Sequence, residues 1–128
     1  MSLKENLRIM VVDDMSVSRA LIAQALDEIG IKHYVTENDA KVALGKLAAN
    51  PVHLVISDMN MPGMNGLQLL HALRLAKTTQ RIGFILITGT PSPEIVREGQ
   101  QLGLNNMVRK PFTSATVKAA IESVVGKL

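Results

Sequence analysis

The sequence has no cysteine and no tryptophan, and its aromatic residues are Tyr34, Phe84 and Phe112 alone. Without cysteine there is no disulfide, no thiol nucleophile and no thiolate metal site. With so few aromatic rings, packing has to rest on Leu, Ile, Val, Met and Ala; hydrophobic residues make up 47% of the chain, ample for a real core. No apolar run approaches the length that spans a bilayer, and the opening MSLKENLRIMVV lacks the apolar stretch of a signal peptide. A cytoplasmic location away from membranes is the expectation. Lys and Arg outnumber Asp and Glu by 14 to 11. They are scattered in ones and twos, however, with no basic run and no aromatic interleaving, which fits a solvated surface rather than a nucleic-acid footprint. Repeats, low-complexity segments and linkers are missing too. All 128 residues therefore read as a single domain with no output domain.

What is present is organised around Leu54–Gly66, LVISDMNMPGMNG. Leu54-Val55-Ile56 is long enough for a buried strand and too short for a helix. It stops at Asp58, and Pro62, Gly63 and Gly66 then force the chain to turn. A carboxylate is thereby placed at the carboxyl end of a strand, where open α/β sheets bind ligands. A turn-initiating aspartate would look the same in isolation.

Around this stretch, short apolar runs alternate with segments of helical period. Strands are expected at Arg8–Val12, at roughly Lys32–Thr36, at Leu54–Ser57, at Phe84–Ile87 and at about Asn106–Arg109. Helices are expected over Ser16–Ile29, with Leu21, Ile22, Ala25 and Ile29 on one face and Gly30 as the stop, and from about Asp39 to Asn50-Pro51. Others are expected from about Gly66 to Ala76, from Pro93 to about Gly103, and after Thr113, with Val117, Ala120, Ile121 and Val124 facing inward. Such βα alternation with apolar strands implies a five-stranded, parallel, doubly wound sheet with five helices, of the flavodoxin-like kind.

In a parallel sheet every strand delivers its carboxyl end to the same rim. Asp13 and Asp14 follow strand one, Asp58 ends strand three, Thr88 follows strand four and Lys110 follows strand five. Each has an ordinary alternative: helix cap for the aspartate pair, turn cap for Thr88, solvated surface for Lys110. Their convergence from four strands is harder to set aside. Three carboxylates in one cleft repel unless a cation neutralises them. All-oxygen donors suit a hard ion such as Mg²⁺, which keeps waters and often shares a phosphate. Lys110 opposite Asp58 can hold a phosphoryl oxygen as a point charge, and Thr88 can donate to another. Phosphoryl transfer to a carboxylate needs this set. Glycine at position 89, beside Thr88, leaves space for such a group.

The chain resembles the receiver domains of two-component response regulators, and among them the stand-alone, CheY-like chemotaxis type. The resemblance spans essentially the whole chain, and its matching residues are VVDD ending at Asp14, Arg19, DMNMPGMNG from Asp58, ITG ending at Gly89 and KPFT from Lys110. It implies that Asp58 is the phosphoacceptor, and that Mg²⁺ is held by Asp13, Asp14, Asp58 and the backbone carbonyl of Asn60. It also implies that Thr88 is the switch hydroxyl and that Lys110, followed by a cis peptide bond to Pro111, binds the phosphoryl group. The second switch position, usually Tyr or Phe on strand five, is Met107 here, a flexible side chain that specifies no sharp rotamer.

The implied function is a phosphorylation-operated switch. A CheA-like histidine kinase phosphorylates Asp58, and the signal leaves by protein contact, with the flagellar motor switch as partner. The protein would catalyse only its own phosphorylation and dephosphorylation, and a monomer is expected. Met107 keeps open a second role, a phosphate sink that drains the kinase; Asn60 and Thr90 flank the site and would tune hydrolysis. A Mg²⁺-dependent phosphatase acting on small molecules is a remote alternative, because no cap insertion supplies a substrate pocket. Met15, Met59, Met61 and Met64 sit in loops on the same rim and read either as adaptable packing or as a soft docking surface.

Overall fold

Apolar side chains alternate between the two faces along each central strand, and that alternation fixes how the sheet is covered. In the computed structural model, which describes residues 3–128, Ile9 and Val11 of β1 (Arg8–Val12) face one layer of helices while Met10 and Val12 face the other. The same division continues through β3 (Leu54–Asp58) and β4 (Gly83–Thr88), both buried along their entire length. Strands buried on both faces require helices on both sides. β2 (His33–Glu37) and β5 (Asn106–Arg109) form the edges, and all pairings are parallel in the order β2-β1-β3-β4-β5. The order reverses between β1 and β3, which opens a crevice outside the carboxyl ends of those two strands.

α2 (Ser16–Ile29) and α6 (Ser114–Val125) cover one face, while α3 (Ala40–Ala49), α4 (Gly66–Leu75) and α5 (Pro93–Gln101) lie towards the other. Local chemistry sets their ends. Asp39 caps α3 by accepting from Lys41 N–H at 2.8 Å, Asn65 and Gln68 form a reciprocal box at the start of α4, and Ser92 caps α5 ahead of Pro93. Thr113 caps α6 through Thr116 N–H, and Gly30 closes α2 at φ 96°.

The expected architecture is the observed one, with differences of a residue or two at most element ends. The helix count differs: α1 (Leu3–Asn6) is a sixth, single-turn helix too short to carry an apolar stripe. β2 begins and ends one residue later than expected, as befits an edge strand with an interrupted apolar pattern. Leu21 is corrected. It is 51% exposed, because the buried stripe of α2 runs through Ile22, Ala25, Leu26 and Ile29 and leaves Leu21 on its margin.

Glycine is demanded at Gly66 by packing. A Cβ there would lie 2.5 Å from the Asp58 carbonyl oxygen and 2.6 Å from Leu86 Cδ1, so the first turn of α4 can rest on the Asp58 backbone only without a side chain. Gly66→Ala is therefore expected to destabilise the protein by about 1–3 kcal/mol, the usual cost of overpacking, read as a lowered melting temperature. At Gly89 an added Cβ would meet only Lys110 Cβ, at 3.9 Å, an ordinary contact. The tight approach falls on the Asp58 side of the cleft.

Candidate functional site

The carboxyl ends of β1, β3, β4 and β5 bring together the residues that the sequence places on one rim. Asp13 follows β1 and is fully buried; Asp58 closes β3 at 4% exposure; Thr88 closes β4 and is also fully buried. Carboxylate oxygens of Asp13, Asp14 and Asp58 lie within 4.8 Å of one another. Lys110, just past β5, reaches across with Nζ donating to Asp58 Oδ1 at 2.8 Å. The Lys110 N–H donates to the Thr88 carbonyl at 2.9 Å, and Lys110-Pro111 is a cis peptide. Thr88 Oγ1 accepts from Thr90 N–H at 3.2 Å. Asn60 lies two residues beyond Asp58 in the exposed part of the loop.

The ordinary alternatives account for these side chains only in part: Thr88 does cap its own turn through Thr90 N–H, but the aspartate pair is not a helix cap. Neither aspartate of the Asp13-Asp14 pair caps α2: the N-cap is Met15, with no side-chain cap bond. Asp13 Oδ1 accepts from Met15 N–H at 2.9 Å. Asp13 Oδ2 and Asp14 Oδ1 are buried side-chain oxygens with no hydrogen-bond partner among the described residues. Buried carboxylate oxygens without donors are costly, and this all-oxygen donor set fits a divalent cation with oxygen preference, which would satisfy them. Asp58 titrates above the ordinary carboxylate value because it is desolvated, an effect that neighbouring Asp13 reinforces and that the hydrogen bond and charge of Lys110 partly oppose. Lys110 offsets one negative charge of a cluster of three.

Some contacts that hold the site were not legible from the sequence, including that of Arg19, whose position the resemblance already matched. Arg19 Nη1 donates to the Asp13 carbonyl at 2.8 Å, and the Glu37 carbonyl at the end of β2 accepts from Asp13 N–H at 3.0 Å. Ser57 Oγ donates to the Asp58 carbonyl at 2.9 Å. Three of the four loop methionines are packing: Met61 is buried, and Met59 and Met64 lie against the core formed with α3 and α4. Met15 is different. It is 60% exposed and, with Leu21, Phe112 and Lys110, lines a groove of about 740 Å³ between α2 and the β5–α6 loop. Met107 is half-buried on β5 and packs against the α3/α4-side core.

A parallel sheet with three carboxylates and one lysine at its switch point defines a class, the doubly wound α/β domains, which place their ligand sites in the crevice outside the carboxyl ends of the strands. Within that class the chain belongs to the response regulator receiver domain family, whose sequence model matches residues 9–122. It is 40% identical over 128 residues to a probable chemotaxis protein CheY of Rhizobium etli, covering 100% of this chain and 99% of that one. Among solved structures it resembles Vibrio cholerae chemotaxis protein CheY4 with a TM-score of 0.85 at 28% identity, over 92% of this chain and 98% of that one. The receiver domain of a sensor histidine kinase from Pseudomonas aeruginosa, described with a magnesium ion coordinated in its active-site cleft, shares the fold with a TM-score of 0.84 at 20% identity, over 94% and 98% of the two chains. Proteins of this family are signalling proteins. Among the described residues, no helix is long and apolar enough to cross a membrane.

Proposed function

We propose that this chain is a cytoplasmic chemotaxis-type response regulator, phosphorylated on Asp58 by a histidine kinase. The observation that carries the reading is the 2.8 Å contact of Lys110 with a buried Asp58 that shares its cleft with two further carboxylates. The Asp58 carboxylate attacks the phosphorus of phosphohistidine, the P–N bond breaks, and the imidazole leaves with the electron pair. Lys110 stays within reach of the phosphoryl oxygens as their charge grows. Asp13, Asp14, Asp58 and the Asn60 carbonyl would hold Mg²⁺, which supplies positive charge to the transferring group. The two unpartnered oxygens fit that ion, and the Pseudomonas receiver carries magnesium in the corresponding kind of cleft. Lys110, which contacts Asp58, also lines the groove of Met15, Leu21 and Phe112, so a protein bringing a phosphoryl group to Asp58 would find apolar surface on the same side chain's other flank.

Once phosphorylated, the protein signals by population shift: Thr88 moves towards the phosphoryl group, Met107 follows, the loop after β4 and the surface of α5, β5 and α6 rearrange, and a partner binds that surface. The flagellar motor switch is the proposed partner. Met107 favours a second reading. A half-buried methionine where the family usually has an aromatic ring gives a softer output, as suits a phosphate sink. A binding titration separates the two. The receiver-binding segment of a motor switch protein is added to this protein with Mg²⁺ alone, then with beryllofluoride as an aspartyl-phosphate mimic. Markedly tighter binding with beryllofluoride is expected for a motor-directed switch. No binding, with the protein's own spectrum still shifting, leaves Asp58 as the acceptor and assigns the sink.

A further inference from the structure

Asp13 has committed nearly all of its polar atoms within the protein. Its N–H donates to the Glu37 carbonyl, its Oδ1 accepts from Met15 N–H, and its own carbonyl accepts from Arg19 Nη1. Oδ2 alone is left, buried and without a hydrogen-bond partner. The bond from Arg19 is the informative one. The Asp13 carbonyl belongs to the planar peptide unit that joins Asp13 to Asp14, so holding that oxygen orients the link between the two acidic residues. The Arg19 N–H makes the first backbone bond of α2, to the Met15 carbonyl at 2.9 Å, which anchors the residue on the helix while its guanidinium reaches back past Asp14 to Asp13.

We propose that Arg19 is a positioning residue for the cation site: it locks the Asp13–Asp14 peptide so that Asp13 Oδ2 and Asp14 Oδ1 point together into the cleft. This rests on the cation reading above. The geometry and the charge of Arg19 make opposite predictions. A guanidinium near a divalent cation repels it, so if charge were all that mattered, removing Arg19 would tighten cation binding. If orientation matters, removing it loosens the site despite the lost repulsion.

Calorimetric titration with MgCl₂ decides the sign, run on the wild type, Arg19→Ala and Arg19→Lys, with melting temperatures measured in EDTA and in Mg²⁺. Alanine is the best helix former, so α2 tolerates the first variant. Arg19→Ala is expected to raise the Mg²⁺ dissociation constant about tenfold, the lower end of what loss of a group orienting metal ligands costs. Its melting temperature should rise less on adding Mg²⁺ than that of the wild type. Arg19→Lys keeps a donor of similar reach and is expected to recover most of the affinity. A merely structural role would lower the metal-free melting temperature and leave the dissociation constant unchanged. Arg19→Ala binding as tightly as the wild type, or Arg19→Lys no better than Arg19→Ala, would overturn the proposal alone. A wild type that takes up no Mg²⁺ would overturn the cation reading and this inference with it.

Discussion

Asp58→Asn is expected to reduce Mg²⁺-dependent labelling by a small phosphodonor such as acetyl phosphate to background, read by the mass of the intact protein. The carboxamide keeps the shape of the side chain and can still accept a hydrogen bond from Lys110, but it carries no charge and is a far weaker nucleophile. Labelling that persisted would move the acceptor to another carboxylate, and Asp13 or Asp14 would be the first to examine, each with an oxygen within 4.8 Å of Asp58. The same variant should be more stable than the wild type in EDTA at neutral pH, and the sign follows from burial. Desolvation, helped by Asp13, raises Asp58 above its ordinary value even with Lys110 opposing. A carboxyl whose folded value is raised binds its proton more tightly in the fold, so its contribution to stability is present in acid and lost as pH climbs through the raised value. Asn has no proton to lose. The advantage of Asp58→Asn should therefore be largest at neutral pH, on the order of 1 kcal/mol or about 3–5 °C in melting temperature, and should shrink below the ordinary carboxylate range. An advantage that did not change with pH would mean that the ionised Asp58 is not under strain.

The parts of this site that run with the chain were legible from the sequence; the parts made across it were not. Leu54-Val55-Ile56 is apolar on both faces, so it announces a central strand, and Asp58 at its end then has to lie on the rim. The same logic places Asp13, Thr88 and Lys110, because parallel pairing leaves no freedom about which end of a strand faces the crevice. Thr113, Asp39 and Gly30 were readable because a cap is a local device, satisfied within a few residues. Leu21 was misplaced because an apolar residue beside the buried stripe has the same spacing whether it meets core or solvent. β2 slipped by one residue because His33 and Thr36 are exposed on an edge strand and give no firm period. Gly66 was visible only as a turn residue; that its hydrogen sits against the Asp58 carbonyl depends on how α4 lies on β3. The free oxygens of Asp13 and Asp14 were likewise out of reach. The sequence shows two carboxylates, whereas which oxygen is spent on Met15 N–H and which is left over is settled by the geometry of the loop.

Lys110→Ala is the variant expected to separate chemistry from signalling. Lys110 touches the site twice: its backbone N–H holds the Thr88 carbonyl at 2.9 Å, and its Nζ holds Asp58 Oδ1 at 2.8 Å. A phosphoryl group on Asp58, as proposed, would change what the ammonium faces, and the change would be felt at the start of the β5–α6 loop that carries it. Removing the side chain leaves the backbone bond to Thr88 but cuts the tie between acceptor and loop. Some labelling should survive, since Asp58, the proposed nucleophile, remains. Amide resonances of β5 and α6 should no longer shift with beryllofluoride, while those of Asp58 and Met59 still do. The metal-free variant should also be less stable, because Asp58 then stands beside Asp13 with no compensating cation. Breaking a fully buried pair costs several kcal/mol, but the Lys110 side chain is 29% exposed, so the loss should be nearer about 1–3 kcal/mol. Added Mg²⁺ should restore part of it, since it neutralises the same carboxylates. An unaltered beryllofluoride response along β5 and α6 would count against a coupling role for Lys110. The path from Asp58 to the output face would then have to run through Thr88 and Met107 alone.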